Sequence, residues 1–237
     1  MSLYVYAITK ASHPLRLDGL RGVGDPPAEL HVVRGDSLCA VVSEAPEDLS
    51  VARRDLEAHH GVTEGLWAGG PVIPLSFGFV SPDEDAVRTV LEQRTEEFAQ
   101  RLDEFAERAE FNVKGLEEED EAVRAVLLEN QRARELNERT RGGGGTYDDR
   151  LALGQLVAQG VQAHQEALAG EVLAALRPLA RAERISPPGR QYFVNASFLV
   201  DEDRTEEFTQ AGRELAERYG EGVEIRLRGP LPPYSFV

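Results

Sequence analysis

Hydrophobic and polar positions change period along this chain, and each change marks an element. Residues 3–8 (LYVYAI) are apolar on both faces, as in a strand covered on both sides. A loop rich in glycine and proline follows, including GVGDPP at 22–27. Residues 30–33 and 38–45 then read as strands, with Gly35-Asp36 as hairpin chemistry between them. A helix is expected from about 49 to 67, with Asp48 or Ser50 as candidate N-caps and Gly69-Gly70-Pro71 as its stop. Residues 71–80 (PVIPLSFGFV) read as a strand that Pro74 pushes toward an edge or a bulge.

From Ser81-Pro82 the period becomes helical. Val87, Leu91, Phe98, Leu102, Phe105 and Ala109 form one stripe with Arg94 in its gap, and the pairs Glu84/Arg88, Glu97/Arg101 and Glu104/Arg108 lace the outer face. Residues 110–118 return to strand character and 120–136 read as a helix. Residues 137–149, with four consecutive glycines, read as a mobile loop. Tyr147, Leu151, Gly154, Ala158, Val161, Leu168, Val172 and Ala175 then predict a helix over 148–177, about 45 Å long, with Pro178 at its end. The remainder is a short strand at AERIS, a turn at PPG, a covered strand over 191–200 and a helix carrying Phe208, Ala211, Leu215 and Tyr219 that Gly220 ends. A half-exposed strand follows, in which Val223, Ile225 and Leu227 alternate with charges.

This order predicts an α+β protein of two domains. Residues 1–109 give β, β, β, α, β and a connecting helix. Residues 110–237 give β, α, β, β, α, β: the split βαβ, or ferredoxin-like, arrangement of an antiparallel sheet with helices on one face, here with a long helix and a docked C-terminal tail. The tail is GPLPPYSFV (229–237), three prolines and two aromatics without a charged side chain. Pro232-Pro233 removes two backbone donors, so the tail is not a central strand. Two readings of it stand: it packs across its own chain, or Tyr234 and Phe236 contact a partner.

Composition narrows the function. A net charge of −16, from 42 acidic and 26 basic side chains with no basic run, repels nucleic acid and anionic lipid. Cys39 is the only cysteine and lies in the apolar run LCAVV, which fits a buried, inert thiol and a reducing compartment. No apolar run is long enough to span a membrane, and MSLYVYAITK lacks the pattern of a signal peptide. A cytoplasmic protein with no membrane partner is expected.

Catalytic patterns fall short. The tetraglycine lacks the lysine of a phosphate loop. His59 and His60 point about 100° apart on a helix, so one packed and one exposed histidine is the simpler reading than a metal pair. Ser76 lacks the first glycine of a nucleophile elbow. Glu117–Glu121 (EEEDE) lacks the spaced ligands of a calcium loop and suits a helix start. Asn195, in a covered strand, needs only a backbone partner. No catalytic, metal or cofactor residues and no cofactor are expected, and the reading is that the chain is not an enzyme.

Three segments together resemble the gas vesicle protein F/L family. PVIPLSFGFV, with Pro74, Phe77 and Gly78, resembles one family segment, with Ser76 where arginine is usual and Phe79 where threonine is usual. RQYFVNASFLV, with Asn195, resembles a second. GPLPPYSFV, with Pro230, Pro232, Pro233, Tyr234 and Phe236, resembles the C-terminal signature, and LALGQ at 151–155 a helix motif between them. The resemblance spans essentially the whole chain. It implies an accessory or minor structural protein of gas vesicle assembly, associated with gas vesicles, that binds the hydrophobic shell-building protein and other accessory proteins. It also implies two α+β domains, the second ferredoxin-like, with the motif residues serving structure or partner contact. The alternatives are a small-ligand-binding regulatory protein built from ferredoxin-like domains, and an enzyme using His60 with Glu57.

Overall fold

β1 (Leu3–Lys10) is buried along nearly its whole length because both of its faces are covered. In the computed structural model, which describes residues 1–187, 192–219 and 222–237, contacts group 1–110 with 229–237 as one unit and 111–228 as a second. The tail, expected with the C-terminal half, is thus grouped with the first unit.

The sheet of the first unit has the order β2 (His31–Arg34), β3 (Leu38–Glu44), β1, β4 (Ile73–Pro74), with β5 (Val80–Ser81) also pairing β1, and all these pairings are antiparallel. Tyr4 and Tyr6 pack with Val62 and Leu66 of α1 (Arg53–Trp67) on one face. Val5 and Ile8 face Val87, Leu91 and Phe98 of α2 (Glu84–Gln93) and α3 (Thr95–Phe105) on the other. Strand alternation sends neighbouring residues to opposite faces, so a strand sandwiched in this way is apolar throughout.

Several expected elements divide. Residues 71–80 are two short strands around a loop: Pro74 removes a ladder donor, and Gly78 takes φ +89°, open to glycine and strained for other residues. The helical stripe from 82 breaks at Arg94 (φ −112°, ψ 24°), where the Thr95 hydroxyl bonds back to the Leu91 and Glu92 carbonyls at 2.7 and 3.0 Å. It ends at Phe105, so Ala109 and Arg108 belong to β6 (Arg108–Glu117), and Arg101 pairs with Glu104 rather than Glu97. α1 starts at Arg53 without a side-chain cap, so neither Asp48 nor Ser50 caps it.

In the second unit the helix expected over 120–136 is two. α4 (Glu119–Glu129) and α5 (Gln131–Thr140) meet at Asn130, whose side chain accepts from the Ala133 N–H at 3.0 Å and so starts a new helix. α5 takes part of the expected loop, and a 3₁₀ turn at Arg141–Gly143 leads to Thr146, which forms a capping box with Asp149. That box opens α6 (Tyr147–Leu176), the long helix read from its stripe. The second sheet has the order β7 (Ala182–Ile185), β8 (Val194–Asp201), β6, β9 (Val223–Leu231), with β7 and β8 antiparallel. α7 (Thr205–Tyr219) packs through Phe208, 5.1 Å from the Phe111 ring of β6 and 5.4 Å from the Phe198 ring of β8. Tyr192 and Phe193 precede β8 rather than belong to it; Gln191, Gly220 and most of the PPG turn lie outside the described residues.

Close packing makes β6 sensitive at Gly115, where an added Cβ would overlap the Phe193 ring. Gly115→Ala should cost about 1–3 kcal/mol by overpacking. Gly154→Ala, on a helix position with nothing near its Cβ, should instead add up to about 1 kcal/mol. Urea denaturation of the two variants reads the opposite signs directly.

Candidate functional site

The first unit concentrates aromatic and titratable side chains where β1, α1, the loop 75–79 and the tail meet. Tyr and Trp bury well only when their polar tips find partners, and the two tyrosines of β1 do. The Tyr6 hydroxyl accepts from the Val23 N–H at 2.8 Å and donates to Ser43 Oγ at 2.9 Å, since Ser43 Oγ itself donates to the Glu44 carbonyl. The Tyr4 hydroxyl accepts from the Gly78 N–H at 3.0 Å and lies 2.9 Å from His59 Nδ1. With its acceptor role filled by Gly78, Tyr4 donates its proton to Nδ1, and the imidazole proton sits on Nε2. Among the described residues His59 Nε2 has no hydrogen-bond partner, although the residue is only 1% exposed.

Rings close around this histidine. Tyr6 stacks on it at 5.8 Å, and Tyr4, Phe77 and His60 approach edge-on at 5.7, 5.7 and 5.8 Å. Burial pushes His59 down from 6.5 to about 4, His60 adds to the shift, and the backbone of Leu75 offsets part of it. Burial likewise pushes Tyr4 up to about 12. Both groups are therefore neutral across the physiological range.

Asp55, in the first turn of α1, accepts from the Gly24 N–H at 2.9 Å. This bond and the Arg54 guanidinium hold its carboxyl below the usual carboxylate range. It ties the loop 22–27 to α1, where a helix N-terminus also favours negative charge.

The tail docks on the same unit. Pro232, Pro233 and Phe236 are buried. The Tyr234 ring lies 6.2 Å from His59 and 5.6 Å from His60, its hydroxyl is 3.3 Å from His60 Nδ1, and burial pushes it up to about 12. The Ser235 N–H and hydroxyl donate to the two carboxylate oxygens of Glu110 at 2.7 and 2.6 Å, and Glu110 is itself buried. Two charge-assisted hydrogen bonds to one carboxylate fix the tail's register.

The structure therefore brings together Phe77, Gly78 and Tyr234, and buries Pro74 in β4 against Ala7. Pro230 is exposed within β9. Asn195 lies elsewhere, on β8, where its Oδ1 accepts from Asn112 Nδ2 at 3.2 Å and its carbonyl from the Ser186 N–H at 2.9 Å. His59 is packed and His60 exposed, as read. The dyad of His60 with Glu57 that the enzyme alternative requires does not form: Glu57 pairs with Arg53 at 2.7 Å, and His60 faces Tyr234. Tyr4, Asp55 and Glu110 were not singled out from the sequence. Tyrosines two apart in an otherwise aliphatic strand were the available signal, because each brings a hydroxyl that must be satisfied inside.

The family model described as "Gas vesicle synthesis protein GvpL/GvpF" matches residues 2–237. The chain is 42% identical over 238 residues to gas vesicle protein F of Streptomyces sp. (strain CB03234), covering 100% of both, and 28% identical to gas vesicle protein L of the same strain, covering 99% of this chain and 92% of that one. The crystal structure of the gas vesicle protein GvpF from Anabaena sp. PCC7120 shares the fold with a TM-score of 0.83 at 22% identity, over 99% of this chain and 97% of that one.

Two measurements probe the cluster. Phe236→Ala should lower stability by about 3–5 kcal/mol, seen as an earlier urea midpoint; an unchanged midpoint would mean the tail is not held. His59 takes up a proton below about pH 6.5 in the unfolded chain but only below about pH 4 in the folded one, so its share of stability is complete above 6.5 and is lost as pH falls toward 4. Between those values wild type should lose up to about 1.4 kcal/mol more per pH unit than His59→Phe. Equal slopes would contradict a buried neutral imidazole.

Proposed function

The chain belongs to the gas vesicle GvpL/GvpF family, and from that premise we propose that it is an accessory or minor structural protein of gas vesicle assembly that binds the hydrophobic shell-building protein and other accessory proteins. The observation that carries this reading is the full-length family match together with 42% identity to a gas vesicle protein F. The state of the buried polar groups supports it. Tyr4, Tyr6, Asp55 and Glu110 are used in internal hydrogen bonds, and His59 is held neutral, as befits an interior frame that holds the tail and the loop 75–79 in place. A net charge of −16 would keep a complex with an apolar subunit dispersed.

The same reading places the protein in the cytoplasm, in association with gas vesicles; no helix among the described residues is long and apolar enough to cross a membrane. The two compact units are read as two folding domains, the second ferredoxin-like. The strand order β7-β8-β6-β9, with helices between β6 and β7 and between β8 and β9, supports that assignment. The motif residues of the tail and of the loop 75–79 are read as the frame of the first domain.

Affinity capture of the tagged protein from vesicle-forming cells tests the reading. The shell-building protein is expected in the eluate, and the tagged protein in mass spectra of the vesicle-associated fraction. Absence of the shell-building protein from captures made before and during assembly would overturn it.

A further inference from the structure

On the face of the first sheet opposite the His59 cluster lies an apolar cavity of about 310 Å³, between β1, β4, β5 and the helices α2 and α3. Its floor is Val5, Ile8, Ala40 and Ile73, all buried. Its mouth is marked by Phe79, Val80, Val90 and the tail residue Val237, which are 49, 44, 42 and 57% exposed, a concentration of large apolar side chains at the surface of so charged a chain. The size is at the small end of ligand pockets and admits one or two large aliphatic or aromatic groups.

The backbone beside the mouth also points outward. Leu3 pairs with Ser81 and Tyr4 with Val80, and the Val5 N–H donates to the Phe79 carbonyl at 3.0 Å. In an antiparallel ladder, residues alternate between hydrogen-bonded and non-hydrogen-bonded pairs. Val5/Phe79 is hydrogen-bonded, so Tyr4/Val80 is not, and the Val80 N–H and C=O point away from β1 at the open edge of the sheet. The pairing of β5 with β1 therefore uses neither group.

Charge selects the occupant. Arg94 is the one charged side chain of the lining, and it is engaged: it donates to both oxygens of Glu97 at 2.8 and 2.5 Å and lies 4.5 Å over the Phe98 ring. An ionic group entering the cavity would meet no unpaired charge among the lining side chains and would lose its hydration. The matching partner is uncharged and apolar.

We propose that the Phe79–Ser81 edge receives an extended, uncharged apolar segment of a partner polypeptide, which hydrogen-bonds to the Val80 backbone and places one large aliphatic or aromatic side chain in the cavity. This is strand addition with a side-chain pocket for specificity. It rests on the function proposed above for the partner's identity, the shell-building protein, and adds the site and the mode.

Two variants separate the site from that function. Val90→Glu puts a charge at the mouth on an exposed helix position, and Val80→Pro removes the outward N–H without breaking a bond to β1. Both should keep the wild-type melting temperature within a few degrees, and both should reduce capture of co-expressed shell-building protein at least tenfold. As a probe of the cavity itself, toluene should raise the melting temperature of wild type, and fail to do so for Ala86→Phe, which fills the space. Undiminished capture by both folded variants would overturn this inference and leave the proposed function standing; so would toluene that binds neither protein. Wild type that captures no shell-building protein would overturn both readings. A dimer that both variants abolish would assign the edge to a second copy of this chain and overturn the proposal.

Discussion

A tyrosine hydroxyl inside a strand covered on both faces must be satisfied without water, and the first unit is arranged around that requirement. Tyr4 meets it with the Gly78 N–H on one side and His59 Nδ1 on the other. This single hydroxyl joins the central strand, the first helix and the loop of the family segment. A buried hydrogen bond is worth only about 0.5–1.5 kcal/mol net, but leaving its partners unsatisfied costs about 1–3 kcal/mol each. The arrangement is therefore specific more than strong: it dictates where α1 and the loop 75–79 sit. Gly78 follows from it, because the backbone that presents this N–H has a φ that favours glycine.

The tail is placed by the same cluster. Its aromatic ring lies against the two histidines, Glu110 fixes the next residue by two hydrogen bonds, and Phe236 is buried. Pro232-Pro233 suits this role, since a segment with few backbone donors can lie across side chains without leaving polar groups unpaired. The uncharged composition of GPLPPYSFV is what a packed segment requires.

The periodic parts of the chain were legible. β1, the hairpin of β2 and β3, α6, α7 and β9 were read from apolar spacing, and the packed-versus-exposed split of His59 and His60 followed from helical geometry. What was not legible turned on single polar side chains acting locally. Thr95 and Asn130 interrupt helices whose apolar stripes continue through the break, and a period count does not register one hydroxyl or one amide bonding to backbone. Thr146 and Asp149 likewise order the end of a glycine run that composition alone reads as loop. The long-range placement of the tail against residues 59, 60 and 110 has no signature in sequence spacing at all.

The family supplies the gas vesicle; the structure supplies a buried aromatic cluster around a neutral imidazole on one face of a sheet and an apolar cavity beside an outward-facing strand edge on the other. The most direct measurement is photo-crosslinking in vesicle-forming cells, with a photoreactive residue at position 90 beside the cavity or at position 151, exposed on α6. Adducts with the shell-building protein from position 90 and few from position 151 are predicted. Adducts from position 151 alone, or from neither site while vesicles form, would contradict the claim that the first sheet's edge is the surface that meets the shell.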